Sequence, residues 1–301
     1  MVVCRTVREA RSSSGFGNPH AACGLRKMGG VRATQDGQGA GLAAAAGWSK
    51  IRQTMPTRIG TLTEKSLHAQ LKRLYAQPGD LLEHALDGYV IDIARPNRAE
   101  RNGADGGGAA GPDLRCIEIQ TRGLAKMKPK LLALLPQRPV QVILPIAAET
   151  TIVRLDGSGA PISRRRSPKH GCVLHVFAEL VSLPTLLADP NFSLEVLLTR
   201  EEQFWRDDGR GSWRRRRWSI HDRRLLAVVG STPLICPGDC AALLPSDLPD
   251  GFTARDLAAV TGQPLALAQK MAYCLRQMGV LAATGKQGNA LVYARADTSQ
   301  G

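Results

Sequence analysis

Aromatic residues are scarce, at 4% of the 301-residue chain. The core must therefore be filled mainly by aliphatic side chains. Acid is also in short supply, with 26 Asp and Glu against 40 Lys and Arg, a formal net charge of +14. No apolar run reaches the roughly 18 residues of a spanning helix, which excludes a helical membrane protein. Cysteine is thinly spread: Cys4, Cys23, Cys116, Cys172, Cys236, Cys240 and Cys274. The one close pair, Cys236 and Cys240, has no His nearby in sequence, which speaks against zinc and against a secreted disulfide framework. Reduced thiols and a cytoplasmic location are expected. His20, His68, His84, His170, His175 and His221 show no metal-ligand spacing. No phosphate loop of Walker type and no Ser-His-Asp constellation is evident. The N-terminus is basic but has no signal-peptide core.

The charge balance favours a polyanionic partner, most simply nucleic acid and in first place DNA. The bland alternative is a compositional bias towards Arg, Ala and Gly. A chain of this length allows about two domains and an ample core.

The stretches Asp87–Ala94 and Leu114–Gln120 organise the chain. Both read as short strands rich in β-branched residues, and each carries acid within an apolar run. Side chains alternate between the faces of a strand. Asp92 then lies with Val90 and Ala94, and Ile91 and Ile93 face the other way. Glu118 and Gln120 share a face opposite Ile117 and Ile119. Paired strands would bring polar groups together on an apolar sheet, where burial needs a partner or a metal.

This pattern resembles the PD-(D/E)XK nuclease superfamily, most closely its Holliday-junction-resolvase-like and Mrr-like branches. The resemblance covers roughly residues 60–146. It implies an α/β fold with a restriction-endonuclease-like α-β-β-β-α-β core and extra strands. It implies that Glu64 is the helix acid, Asp92 the strand acid and Glu118 the Glu of Glu-x-Lys, with Asp92 and Glu118 binding Mg²⁺ or Mn²⁺. The motif lysine is replaced by Gln120. In some members the lysine has moved to the following helix, where Lys126 or Lys130 could supply the charge; a solvated basic face is the plainer reading of those lysines.

Taken in order, residues 1–57 are rich in Gly, Ala, Ser and Arg, and their composition predicts a disordered basic arm. Met55 is read as the true start. Residues 58–235 are expected to form the nuclease-like domain. Its first helix runs from Leu62 to Tyr75, capped by Thr61 and Glu64. Asp87-Gly88 is a tight turn between strands Leu81–Leu86 and Tyr89–Ala94; Glu83 and Asp87 are reserve acids. A helix over Gly123–Leu135, a buried strand Val140–Ile146 and a hairpin return at Thr151–Leu155 follow. Ser163–His170 reads as a basic loop, Val173–Leu187 as a helix broken at Pro184, and Leu194–Thr199 and Leu225–Val229 as strands. Between the last two, residues 200–224 form a hairpin arm in which Trp213, Arg214, Arg215, Arg216, Arg217 and Trp218 interleave rings with cations. That composition suits stacking on bases and binding of phosphate, or packing of Trp against Arg stems.

Residues 233–245 read as a connector. From Phe252 the pattern is helix, turn, helix and β-wing, which resembles a winged-helix domain over 246–297. Thr253 caps the first helix, Gly262 ends it, and Pro264 starts the second. Gln269, Lys270, Tyr273, Arg276 and Gln277 face outward there, and Lys286 lies in the wing, where groove contacts are made. Many winged helices bind protein instead. The leading expectation is a nucleic-acid-binding protein with a nuclease-like core, acting as a metal-dependent endodeoxyribonuclease. The alternatives are an inactive nuclease fold that binds or regulates DNA, and a winged-helix protein-interaction adaptor. No membrane partner is expected, and homodimerisation is left open.

Overall fold

A computed structural model describes residues 66–96, 114–209, 211 and 218–296. The expected arm at 1–57, Glu64, Trp213 and Arg214–Arg217 lie outside the described residues. Helix α1 spans Ser66–Tyr75. Leu67 and Leu71 are four apart, so they share one face and are fully buried. The helix start is held by Asp222, whose carboxylate accepts the Ser66 N–H at 3.0 Å and the Ser66 hydroxyl.

Strands β1 (Leu81–Leu86) and β2 (Tyr89–Pro96) form a hairpin. Its turn residues Asp87 and Gly88 both have positive φ, 50° and 79°, as a two-residue hairpin turn requires. Strand β3 (Leu114–Ile119) pairs antiparallel with β2. Pro129 divides the helix expected over 123–135. A 3₁₀ turn covers Leu124–Met127, and helix α2 (Lys128–Leu134) starts afresh with the proline in its first turn, where a missing N–H is harmless.

Strand β4 runs unbroken from Val140 to Leu155 and lies parallel to β3. The hairpin expected between 140–146 and 151–155 is therefore absent. Both halves instead pair parallel with the equally long β6 (Phe192–Asp207), with only a register shift between Ala147 and Glu149. The antiparallel partner of Thr151–Leu155 is β5 (Pro161–Arg166), drawn from the stretch read as a basic loop. The helix expected over 173–187 is reduced to short turns, of which α3 (Phe177–Leu180) is the α-helical one. Strand β7 (Trp218–Leu234) completes the sheet against β6. The expected arm is thus the outer end of two long strands. The sheet order is β1-β2-β3-β4-β6-β7, with β5 on β4.

After a short helix α4 (Pro237–Ala241), strand β8 (Phe252–Thr253) leads into α5 (Ala254–Thr261), α6 (Leu265–Gln277) and the hairpin β9 (Leu281–Gln287) and β10 (Ala290–Arg295). Thr253 caps α5 by accepting the amides of Arg255 and Asp256, and Asp256 reciprocates at 2.8 Å. Gly262 closes α5 at φ 64°, a left-handed conformation that suits glycine. Strand β10 pairs with both β8 and β9.

The main sheet carries an apolar cluster on each face. The smaller joins Leu67 and Leu71 to Ile93, Ile117, Ile119, Ile143 and Leu197. The larger runs from Cys116 and Val142 through Phe177 into Cys274 and Leu275 of α6. The C-terminal unit thus shares a continuous core with the first, with Cys274 Sγ 3.9 Å from the Phe177 carbonyl. Among the described residues no helix is long and apolar enough to cross a membrane.

Candidate functional site

The site forms where β2 and β3 stop pairing. Their last registered pair at this end is Ile93 with Ile117. Continued by one residue, that register would set Asp92 opposite Glu118, but the pairing stops before them. No backbone ladder bond is made there. The Asp92 N–H donates to Glu118 Oε1 at 3.2 Å, and the Ile119 N–H donates to Asp92 Oδ2 at 2.8 Å. Each carboxylate therefore satisfies a backbone donor of the other strand.

The distortion extends to β1. Glu83, opposite Asp92, has φ 50° and the pairing skips it. A residue other than glycine rarely adopts that conformation. The strand twists at this point, and Ile91 enters the larger cluster and Ile93 the smaller. The expectation that both isoleucines face the same way fails here, because strict alternation needs an unbroken pleat. The Glu83 carboxylate itself is engaged by Lys72, at 2.7 Å. Asp87 pairs with Arg138 at 2.9 Å.

Two helices reach the acids. From α1, His68 Nε2 lies 3.2 Å from Asp92 Oδ2. From α2, Lys130 Nζ lies 2.6 Å from Glu118 Oε1 and donates to the Val90 carbonyl, also at 2.6 Å. Burial raises the Glu118 carboxyl above its usual range, and the Asp92 charge raises it further, with Lys130 opposing both. Burial also pushes the Asp92 carboxyl up, but the His68 hydrogen bond, the Ile119 N–H and the positive charges nearby outweigh it and hold Asp92 low. The pair is thus asymmetric: Asp92 keeps its charge easily and Glu118 does so reluctantly.

Gln120 is turned elsewhere. Its side-chain amide donates to the Arg122 carbonyl and, at 3.2 Å, to the Gly123 carbonyl, shaping the turn before α2. Lys126 is exposed, with its stem over Gly123. The ammonium beside the acids is that of Lys130. His68 was missed in the sequence reading; the available signal was its place three residues before Leu71, on the same helix face.

Metal binding by this set can be judged from its donors. Two carboxylates face the Lys130 ammonium and the His68 imidazole, and their oxygen donors are of the type that suits a hard divalent cation. Among the described residues, no group of three or more His, Cys, Asp or Glu converges to hold one. Between Leu67, Thr121 and residues 220–223 lies a cavity of about 30 Å³, room for about one water.

The other residues expected to bind nucleic acid lie apart. On α6, Gln269, Tyr273 and Arg276 are exposed and Lys270 is half-buried; Lys286 is exposed on β9. Trp218 is half-buried at the start of β7, with the Arg154 guanidinium 4.9 Å from its ring centre. Trp205 is buried, and its indole N–H donates to Gln203 Oε1 at 3.2 Å.

A family model described as "Domain of unknown function (DUF8091)" matches residues 65–234, from α1 to the end of β7. The chain belongs to this family. The DUF8091 region includes His68, Asp92, Glu118 and Lys130, and leaves out the C-terminal unit. A protein of Treponema pallidum (strain Nichols), named "Uncharacterized protein", is 30% identical over 235 residues, covering 78% of this chain and 86% of that protein. No solved structure matches.

Proposed function

We propose that the DUF8091 region is a nuclease-like domain of PD-(D/E)XK type that cleaves DNA with a divalent metal, and that the C-terminal unit is a winged helix that helps to seat the substrate. The contact between Lys130 Nζ and Glu118 Oε1 carries this reading. It sets a cation beside two adjacent carboxylates, although the usual lysine position holds Gln120. The order of elements supports it as well: a helix, an antiparallel three-stranded meander, a crossover helix and a strand parallel to the third. In the C-terminal unit, two helices followed by a hairpin, with a third strand on that hairpin, support the winged helix.

In this reading Asp92 and Glu118 hold Mg²⁺ or Mn²⁺. When bound, such an ion lowers the pKa of water and stabilises charge on phosphate. Lys130 adds positive charge where negative charge develops on the phosphate. His68 orients Asp92. The exposed Gln269, Tyr273, Arg276 and Lys286, with the half-buried Lys270, face the duplex.

A second reading is a nuclease fold that binds DNA without cutting it. It is favoured by the hydrogen bonds that already occupy Asp92 Oδ2 and Glu118 Oε1. Incubation with supercoiled plasmid and Mg²⁺ or Mn²⁺ separates the two. The expected result is nicking that Asp92→Ala and Lys130→Ala abolish. Salt-dependent DNA binding without nicking selects the second reading, and loss of both leaves the adaptor.

A further inference from the structure

We infer that β5 is a phosphate-backbone track, a second nucleic-acid contact that extends from the acid site along the same side of β4. It rests on the proposed nucleic-acid function but not on cleavage. The starting observation is exposure. All six residues of β5 are exposed, so neither face of the strand is stabilised by burial. Three consecutive arginines, Arg164, Arg165 and Arg166, occupy it. Arg164 is partly engaged by Glu202. Arg165, Arg166 and the exposed Lys169 that follows make no ion pair among the described residues.

Placement is the second observation. β4 has β6 along one edge. Its other edge holds β3 at Val140–Ile143 and then β5 at Thr151–Leu155. Glu118 is registered with Val142, and Arg166 with Thr151. At about 3.3 Å per residue the two pairs are at most about 30 Å apart. That is a little less than one turn of B-form duplex, about 34 Å. A duplex lying along this edge therefore meets the acids and the arginines within one turn.

The chemistry of the strand selects the partner. On this extended strand Arg164 and Arg166 share a face about 6.6 Å apart, and Arg165 stands on the other face. Guanidinium forks suit phosphate oxygens. A lipid surface calls for an apolar face sunk into the acyl boundary. Here Ile162 and Pro161 are the apolar residues of β5, and both stand at its start. Nucleic acid is the better match.

The test is the salt dependence of binding to a labelled duplex of about 20 base pairs, long enough to cover both sites, in EDTA with no divalent metal. The wild-type chain is compared with Arg165→Ser/Arg166→Ser/Lys169→Ser and with Arg165→Lys/Arg166→Lys. The triple variant should bind at least tenfold more weakly, and its log–log salt slope should fall by about 2–3, near 0.9 per lost phosphate contact. The lysine variant should keep most of the slope, and a thermal melt should show all three folded. An unchanged slope in the triple variant overturns the inference. So does an unchanged slope with new self-association, which would mean that the cations only guard an open sheet edge. Binding to vesicles of phosphatidylcholine and phosphatidylserine, without duplex binding, also overturns it. Failure of the wild type to nick plasmid removes the nuclease reading and leaves this result standing.

Discussion

Two pairs of acids lie in the same sheet, and they are built differently. Glu201 and Glu202 are neighbours on β6, 0% and 1% exposed. Consecutive strand residues point to opposite faces, so each finds its own counter-ion. Arg223 grips Glu201 at 2.7 Å, and Thr199 donates to it at 2.7 Å. Arg224 and Arg164 hold Glu202. Every negative charge there is matched by arginine. Asp92 and Glu118 lie on neighbouring strands, opposite each other, and share a single ammonium from Lys130. Their surplus charge is eased by backbone amides and by His68. Acids balanced one by one stabilise a fold, whereas acids left with surplus charge beside a lysine can accept a cation.

The contrast is broken most directly at Glu201. Glu201→Ala leaves the Arg223 guanidinium buried without its carboxylate and should cost about 3–5 kcal/mol in urea denaturation. Asp92→Asn should cost clearly less; equal costs would make both sites structural. The next effect concerns metal. With free Mn²⁺ at 100 times its dissociation constant, the wild type should gain about 2.7 kcal/mol in a thermal melt. Asp92→Asn should erase this gain, and Glu201→Gln should keep it. No gain in the wild type would leave Asp92 and Glu118 as a polar lock between strands.

Lys130→Met sharpens the comparison through pH. Glu118 already titrates above the usual carboxylate range, and loss of its ammonium raises it further. A raised carboxyl contributes stability at low pH that is lost as pH rises through the folded-state value. The deficit of Lys130→Met should therefore be small near pH 4 and grow to about 2 kcal/mol near neutrality, the scale of a charged hydrogen bond. Denaturation curves across this range check the sign, and a deficit that shrinks with pH would contradict it. The smallest effect is a control. Glu149 and Arg200 meet at 3.1 Å with both side chains half-exposed, so Arg200→Ala should cost less than about 0.5 kcal/mol.

Much of the fold was legible because its signals are local. The Asp87-Gly88 hairpin, the Thr253 cap and the Gly262 stop each depend on a few adjacent residues. The inward stripe expected on α6 from Leu265, Ala268, Met271 or Ala272, Leu275 and Met278 is legible in its middle, where Ala268, Met271, Ala272 and Leu275 are buried, but Leu265 at the helix start is exposed and Met278 is half-buried. What failed depended on distant partners. Residues 140–155 contain two apolar runs around the polar Glu149, which reads as a turn. The long β6 alongside keeps them in one strand.

The sequence by itself determined that Asp92 and Glu118 each stand within an apolar strand, because the strand signal is local to each segment. It also determined that Gln120 follows Glu118 by two residues, and that lysines follow it. Only the tertiary structure decided which lysine reaches the acids. The turn at Leu124–Met127 is a 3₁₀ turn with about 3.0 residues per turn instead of about 3.6, which rotates the helix after it by roughly 80° from the phase a single α-helix would have. Lys126 belongs to that turn and stays exposed, whereas Lys130 belongs to α2 and reaches Glu118. The approach of His68 was likewise decided in three dimensions, since it depends on how α1 lies across the sheet with its start tied to Asp222, far away in the chain.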